Sequence, residues 1–261
     1  MAQRRHVPRK RFGQHFLVDP GIVERIVSAV DPQRGDHIVE IGPGLGALTA
    51  PLLARVEHLH AVELDRDLSA LLRERYPAER LTVHQADALR FDFEALPGPL
   101  RIVGNLPYNI STPLLFHLGT VASRCTDMHL MLQDEVVDRI VARPSEPEYG
   151  RLSVMLQYRY RLERLFGVPP SSFRPRPKVD SAMLRLVPRP TEELSALSEA
   201  GFARIVARAF SMRRKTLKNT LSGLISAAEL AELGIEPGRR AQSLPIAAFV
   251  TIANRFARHE S

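Results

Sequence analysis

The stretch Val39-Glu40-Ile41-Gly42-Pro43-Gly44-Leu45-Gly46 decides how this chain is read. It closes a short apolar run, His37 to Ile41, and opens onto a helical pattern that reaches about Arg55. Alternate glycines punctuate any tight turn, so the motif by itself is weak. Between a strand and a helix it gains meaning, because the first turn of a nucleotide-binding α/β unit must let a ligand approach the backbone.

Downstream the same alternation continues. His58 to Leu64 reads as a strand ending in Glu63-Leu64-Asp65, and Asp67 to Arg75 as a helix. A strand at Leu81 to Gln85 leads to the pair Asp87-Ala88, and another at Leu100 to Val103 runs into Gly104-Asn105-Leu106-Pro107-Tyr108. Helix Pro113 to Leu118, strand Met128 to Gln133 and helix Glu135 to Ala142 follow. This order predicts an α/β fold, a mostly parallel sheet with helices on both faces. Upstream, Pro20 starts a helix whose Ile22, Ile26, Val27 and Val30 share one face.

Past Arg143 the texture changes. Leu152 to Tyr160 suits a helix and Arg161 to Val168 a strand, while Pro169 to Lys178 holds four prolines and is expected to be irregular. Val179 to Val187 alternates like a strand, and Pro188 to Glu199 reads as a linker. Only helical patterns follow, with Phe202, Ile205, Val206, Ala209 and Phe210 on one face. The division expected is therefore 1–188 and 189–261, with a smaller all-α C-terminal domain and a basic arm over 1–11.

Composition bounds the function. No run approaches the ~18 apolar residues of a membrane span, and no apolar segment follows the basic N-terminus as a secretory signal requires. Cys125 is the only cysteine, so no Cys-cluster metal site or internal disulfide is expected, which suits a cytoplasmic protein without a structural metal. Nothing in the chain suggests an obligate dimer, and a monomer is expected. The net charge of +7 is segregated. Arg4, Arg5, Arg9, Lys10 and Arg11 precede the first acid, Asp19, and Ala200 to Ala228 lacks acids while carrying Arg204, Arg208, Arg213, Arg214, Lys215 and Lys218. Such clusters are either solvated faces or a polyanion footprint, most simply for nucleic acid. On one continuous helix Arg204, Arg208, Lys215 and Lys218 would fall within about 80° of one another, although Ser211-Met212 is placed to break it.

The strand ends carry the chemistry. Gly42 and Gly44, with Gly46, give close access to a ligand; Glu63, about twenty residues on, is placed to grip ribose hydroxyls; Asp87, beside Ala88, can accept from an adenine amino group. That set also suits NAD. However, Glu40 would repel a pyrophosphate and favour a cationic amino-acid ligand, and S-adenosylmethionine offers an ammonium, a sulfonium, a ribose and an adenine. Asn105-Leu106-Pro107-Tyr108 suits an exocyclic amine. The Asn105 amide oxygen and the backbone carbonyl of Leu106 would accept its two N–H bonds, and Tyr108 offers a face for a base to stack on, worth ~1–3 kcal/mol. An aromatic amine is a weak nucleophile, and acceptors aimed at its hydrogens favour pyramidal nitrogen with its lone pair toward the methyl donor.

Six motifs carry a resemblance. They are Arg-Phe-Gly-Gln-His-Phe-Leu at 11–17, Glu-Ile-Gly-Pro-Gly-Leu-Gly at 40–46, Glu-Leu-Asp at 63–65, Asn-Leu-Pro-Tyr-Asn-Ile-Ser at 105–111, Phe-Arg-Pro-Arg-Pro-Lys-Val-Asp-Ser at 173–181 and Arg-Arg-Lys-Thr-Leu-Lys-Asn at 213–219. From Arg11 to about Arg255 the chain resembles the KsgA-type ribosomal RNA adenine dimethyltransferases. The resemblance implies a Rossmann-like class I methyltransferase domain that uses S-adenosylmethionine, with an RNA-binding helical C-terminal domain. It implies methylation of N6 on two adjacent adenosines near the 3′ end of small-subunit (16S) rRNA, on the assembling 30S subunit. By position it puts His15, Leu17, Gly42, Glu63, Asp87 and Asn105 in the cofactor site; His15 stands where some relatives have asparagine. Asn105 and Tyr108 would hold the target base, and Phe173 would cover its other face. Two other readings stay open: an Erm-like enzyme acting on large-subunit rRNA, and a binding module in which methylation has been lost.

Overall fold

The computed structural model describes residues 14–260; the basic arm expected over residues 1–11 lies outside them. The chain divides into two compact units, residues 1–137 with 162–188, and residues 138–161 with 189–261.

The first unit begins with a two-residue strand, β1 (Phe16–Leu17), and helix α1 (Pro20–Val30). Asp19 caps α1: its Oδ1 accepts from the backbone of Gly21 and Ile22, and its Oδ2 from the Ser172 hydroxyl. Then come β2 (His37–Ile41), α2 (Thr49–Leu53), β3 (Leu59–Glu63), α3 (Arg66–Arg75), β4 (Leu81–Gln85), β5 (Leu100–Asn105), α4 (Ser111–Thr120) and β6 (Cys125–Gln133). Helix α5 (Asp134–Val141) leads out of the unit, and helix α6 (Arg151–Arg159) and the start of β7 (Tyr160–Val168) precede the return. Two strands complete the unit, β8 (Phe173–Arg174) and β9 (Ser181–Pro188).

The main sheet has the order β4-β3-β2-β5-β6-β9-β7. Its first five strands pair in parallel, and β9 runs antiparallel to β6. Strands β2 and β5 are buried almost throughout, as a central parallel strand must be. The charge carried into β5 is paired: Arg101 makes a two-pronged contact with Asp127 at 2.9 and 2.8 Å, reaches Asp36 at 2.6 Å and donates to the last carbonyl of α1, Val30, at 2.5 Å.

Three sequence expectations change. The helix after the glycine loop is only Thr49–Leu53, because residues 44–48 form turns. The proline-rich segment is not wholly irregular: Phe173 and Arg174 form β8, which pairs antiparallel with β1, Leu17 opposite Phe173. A two-residue strand leaves no alternation to read. The boundary at 188/189 stays, but residues 138–161, expected in the first domain, group with the C-terminal helices.

The second unit contains α6 and then α7 (Glu199–Ala209), α8 (Leu217–Thr220), α9 (Ala227–Glu232) and α10 (Ile246–Glu260). Its core joins Phe202, Ile205 and Val206 of α7 to Phe249, Ile252 and Phe256 of α10 and to Val154 and Tyr158 of α6. The Tyr158 ring lies 4.3 Å from that of Phe202, and the Tyr149 hydroxyl donates to Leu244 O at 2.9 Å. Those contacts explain why the 138–161 segment belongs here: its aromatic side chains are core to the helices.

Candidate active site

The loops leaving β2, β3, β4 and β5 meet the segment Gln14 to Leu17 around a cavity of about 350 Å³, the scale of a small-cofactor site. A doubly wound sheet binds its ligands outside the carboxyl ends of its strands, and these loops are those ends.

Gly42, Gly44 and Gly46 all have positive φ, at 68°, 58° and 86°. At Gly44 a Cβ would come within 3.0 Å of the Phe16 ring, so only glycine keeps this wall open. Gly44 N donates to Glu63 Oε2 at 3.1 Å, and Asp65 N donates to Glu63 Oε1 at 2.8 Å. These bonds clamp the carboxylate at the end of β3 and leave a lone pair on each oxygen for a ribose hydroxyl. Burial raises the pKa of Glu63. Glu40, 2% exposed, accepts from the Thr49 hydroxyl at 2.6 Å. Burial, the largest cause, lifts its carboxyl to about 7. Asp87 and the buried Ala88 line the same cavity, with Asp87 Oδ1 accepting from Leu89 N at 3.0 Å.

At the end of β5 the geometry is tighter. Asn105 Nδ2 donates to the backbone carbonyl of His15 at 3.0 Å, which fixes the amide and leaves Oδ1 as its acceptor. Leu106 N donates to Met131 O at 3.1 Å, pinning the turn to β6. The Tyr108 ring stacks on His15, centroids 5.7 Å apart and planes 27° from parallel, and its hydroxyl shares a 2.7 Å hydrogen bond with Ser181 Oγ. Burial raises the phenol pKa, so Tyr108 stays neutral. His15 Nδ1 lies 2.7 Å from Pro175 O, and because a carbonyl only accepts, Nδ1 carries a proton.

The cavity thus gathers His15, Leu17, Gly42, Gly44, Glu63, Asp87, Ala88, Asn105, Leu106 and Tyr108. Phe173 is the exception. Its side chain is 0% exposed, packed in the core with Leu17, Val168 and Met183, and it does not line the cavity. Pairing of β8 with β1 turns the ring inward, so the expected cover for a base's second face is not in place here. Sequence reasoning missed Thr49, Gln14 and Ser181. Gln14 Nε2 donates to Asp65 Oδ2 at 3.2 Å; the alternation around Thr49 and the motif holding Ser181 gave no hint of their partners.

Arg204, Arg208, Arg213, Arg214, Lys215 and Lys218 are all exposed. They do not share one helix face, because α7 stops at Ala209 and Lys218 sits on the separate α8. Arg204 lies 4.9 Å over the Phe256 ring, and Arg213 donates to Pro147 O at 3.0 Å. Among the described residues, no three His, Cys, Asp or Glu side chains are placed to hold a metal ion, and no helix is long and apolar enough to cross a membrane.

Residues 5–258 match the profile of a family described as ribosomal RNA adenine dimethylase. The chain belongs to that family. As a ribosomal RNA adenine dimethylase it is a methyltransferase that uses S-adenosylmethionine, on a Rossmann-like α/β fold with a helical C-terminal part. Among its relatives, the ribosomal RNA small subunit methyltransferase A of Thiobacillus denitrificans is 61% identical over 247 residues, 95% of this chain and 97% of that protein. The protein of the same name from Bordetella pertussis is 56% identical over 249 residues, 95% and 94% of the two chains. Among solved structures, a dimethyladenosine transferase from Plasmodium falciparum superposes with a TM-score of 0.83 at 25% identity, over 94% of this chain and 98% of that one. The 23S rRNA methyltransferase ErmE gives 0.69 at 26% identity, over 93% and 99%.

Proposed function

We propose that this ribosomal RNA adenine dimethylase methylates N6 of two adjacent adenosines near the 3′ end of small-subunit rRNA, acting as a monomer on the assembling subunit in the cytoplasm. The observation that carries the reading is the fixed amide of Asn105, which lines the same cavity as Tyr108. The small-subunit assignment draws on the names of relatives 56–61% identical to this chain.

The residues fit the cofactor. Gly44 leaves open a wall that a Cβ would fill, the clamped Glu63 suits the ribose, and Asp87 with Ala88 suits the adenine. His15, Leu17, Gly42 and Asn105 line the rest, and the buried Glu40 offers a carboxylate to a cation. When bound, S-adenosylmethionine supplies an electrophilic methyl group on a sulfonium.

The chain's own work is to hold the amine. Asn105 Oδ1 and the Leu106 carbonyl accept the two N–H bonds of the adenine and draw its lone pair out of the ring system. Tyr108 supports the base from one face, offsetting part of the few kcal/mol that unstacking costs. Transfer then depends on proximity and line-up, and the methylated nitrogen is acidic enough to lose its proton to water. The exposed cations of the second unit, Arg204 to Lys218, meet the RNA backbone and read its shape.

The test is complementation of cells lacking this protein with Asn105→Ala or Tyr108→Ala, followed by mass spectrometry of the small-subunit rRNA. Dimethyladenosine should be absent while cofactor binding stays measurable by calorimetry. Retained dimethylation in both variants would overturn the residue roles, and modification mapped to large-subunit rRNA would overturn the substrate.

A further inference from the structure

We infer that Ser181 is a positioning residue for methyl transfer, acting through the Tyr108 hydroxyl to fix the place of the ring on which the target base stacks. The inference rests on the reading of Tyr108 as the base-stacking ring.

Tyr108 sits in the turn after β5, half-buried, and a turn leaves the swing of the whole ring about the Cα–Cβ bond open to several staggered positions. A hydroxyl anchor at the far end of the ring holds that swing, because the oxygen lies on the Cβ–ring axis and moves with it. Ser181 Oγ lies 2.7 Å from the Tyr108 hydroxyl. Ser181 is 0% exposed and is the first residue of β9, opposite Gln133 on β6. The same β6 holds Met131 opposite Asn105 on β5. The ladders of three adjacent strands therefore fix the backbone of Ser181 relative to that of Asn105, and Tyr108 follows Asn105 by three residues. His15 rests against one face of that ring.

The chemistry of the pair supports a tuned contact. Phenylalanine would give the same stacking face, and alanine would give the same strand. A serine buried this deeply costs stability unless its hydroxyl is bonded, and here it is bonded to the phenol. Each hydroxyl satisfies the other, across 73 positions of sequence.

A double-mutant cycle tests this. Small subunits lacking dimethyladenosine, purified from cells without this protein, are methylated with radiolabelled S-adenosylmethionine under single-turnover conditions with saturating enzyme. S181A and Y108F should each slow transfer about threefold to tenfold, the rate equivalent of one net hydrogen bond. The double variant should be no more than about twofold slower than either single, since both remove the same bond. Cofactor affinity should stay within about threefold. If the two effects multiply, or if either single variant keeps the full rate, the inference is overturned. A fall in melting temperature with unchanged transfer would assign Ser181 to stability alone and also overturn it. Should S181A fail to fold, S181C, which keeps the volume and bonds weakly, takes its place in the cycle. A wild-type protein that transfers no methyl group in this assay would instead sink the proposed function.

Discussion

The Asn105 amide nitrogen donates to the backbone carbonyl of His15 at 3.0 Å, across 90 positions of sequence. One bond joins the segment that enters the fold to the strand end that holds the amine acceptor. It decides which end of a near-symmetric amide faces the cavity.

That relationship sets the expected behaviour of Asn105→Asp. The aspartate keeps an acceptor and the shape, but its second oxygen now faces a carbonyl that also only accepts. Leaving that contact unmade costs ~1–3 kcal/mol, or more for a charged group. Single-turnover methylation should fall by at least about tenfold, with the melting temperature changed much less. Full transfer by N105D would show that the orientation of the amide is irrelevant.

Glu40 should make the cofactor-free protein less stable as pH rises. Its folded-state carboxyl is lifted from 4.5 to about 7 by burial. A raised pKa means that the folded state holds the proton longer, so the contribution is fully present below 4.5 and is lost as pH rises through about 7. The shift corresponds to about 3 kcal/mol. Glu40→Gln should therefore stabilise the free protein more at pH 8 than at pH 5, read as the difference in urea midpoints. Binding of a cationic ligand near pH 7 should release a proton, which calorimetry in buffers of different ionisation enthalpy detects; the same binding enthalpy in all buffers would remove Glu40 from the cation's neighbourhood.

Lys215 and Lys218 are exposed on the acid-free segment of the second unit. If both meet phosphates, K215A/K218A should weaken RNA binding at low salt and lower the slope of log K against log salt by ~0.7–0.9 per lost contact. The measurement is a filter-binding titration at several salt concentrations. An unchanged slope would move the RNA footprint elsewhere.

Gly104 should tolerate no side chain. A Cβ there would stand 2.7 Å from the backbone oxygen of Ile41 on the neighbouring parallel strand, so β2 and β5 would have to separate. Gly104→Ala should cost at least ~1–3 kcal/mol, the usual price of overpacking a core, and lower the urea midpoint. The displaced Asn105, one residue on, should lose transfer activity as well. A variant with wild-type stability would mean that the two strands part easily.

The α/β alternation was legible because buried parallel strands write themselves as continuous apolar runs, and the ligand-bearing ends of such strands follow from topology. Gly42, Gly44, Glu63, Asp87 and Asn105 could be named from their places after those runs, and the structure brings all five to one cavity. The short β1–β8 pair left no periodic trace, and so the burial of Phe173 was invisible. The helical face drawn for Arg204 to Lys218 required one continuous helix, and α7 stops at Ala209, just before the Ser211-Met212 pair that the sequence places as a break.

From the order of residues alone come the succession of strands and helices, the residue types at each strand end, and through six motifs the family. These depend on neighbours in the chain, whose spacing is set by the geometry of a strand or a helix. Only the tertiary structure decided that residues 138–161 join the C-terminal helices, that Phe173 lies in the core, and that His15 and Ser181 hold Asn105 and Tyr108. Those contacts join positions 73 to 90 apart. Their hydrogen bonds exist only once the packed sheet has brought the partners within reach, and no local pattern encodes that.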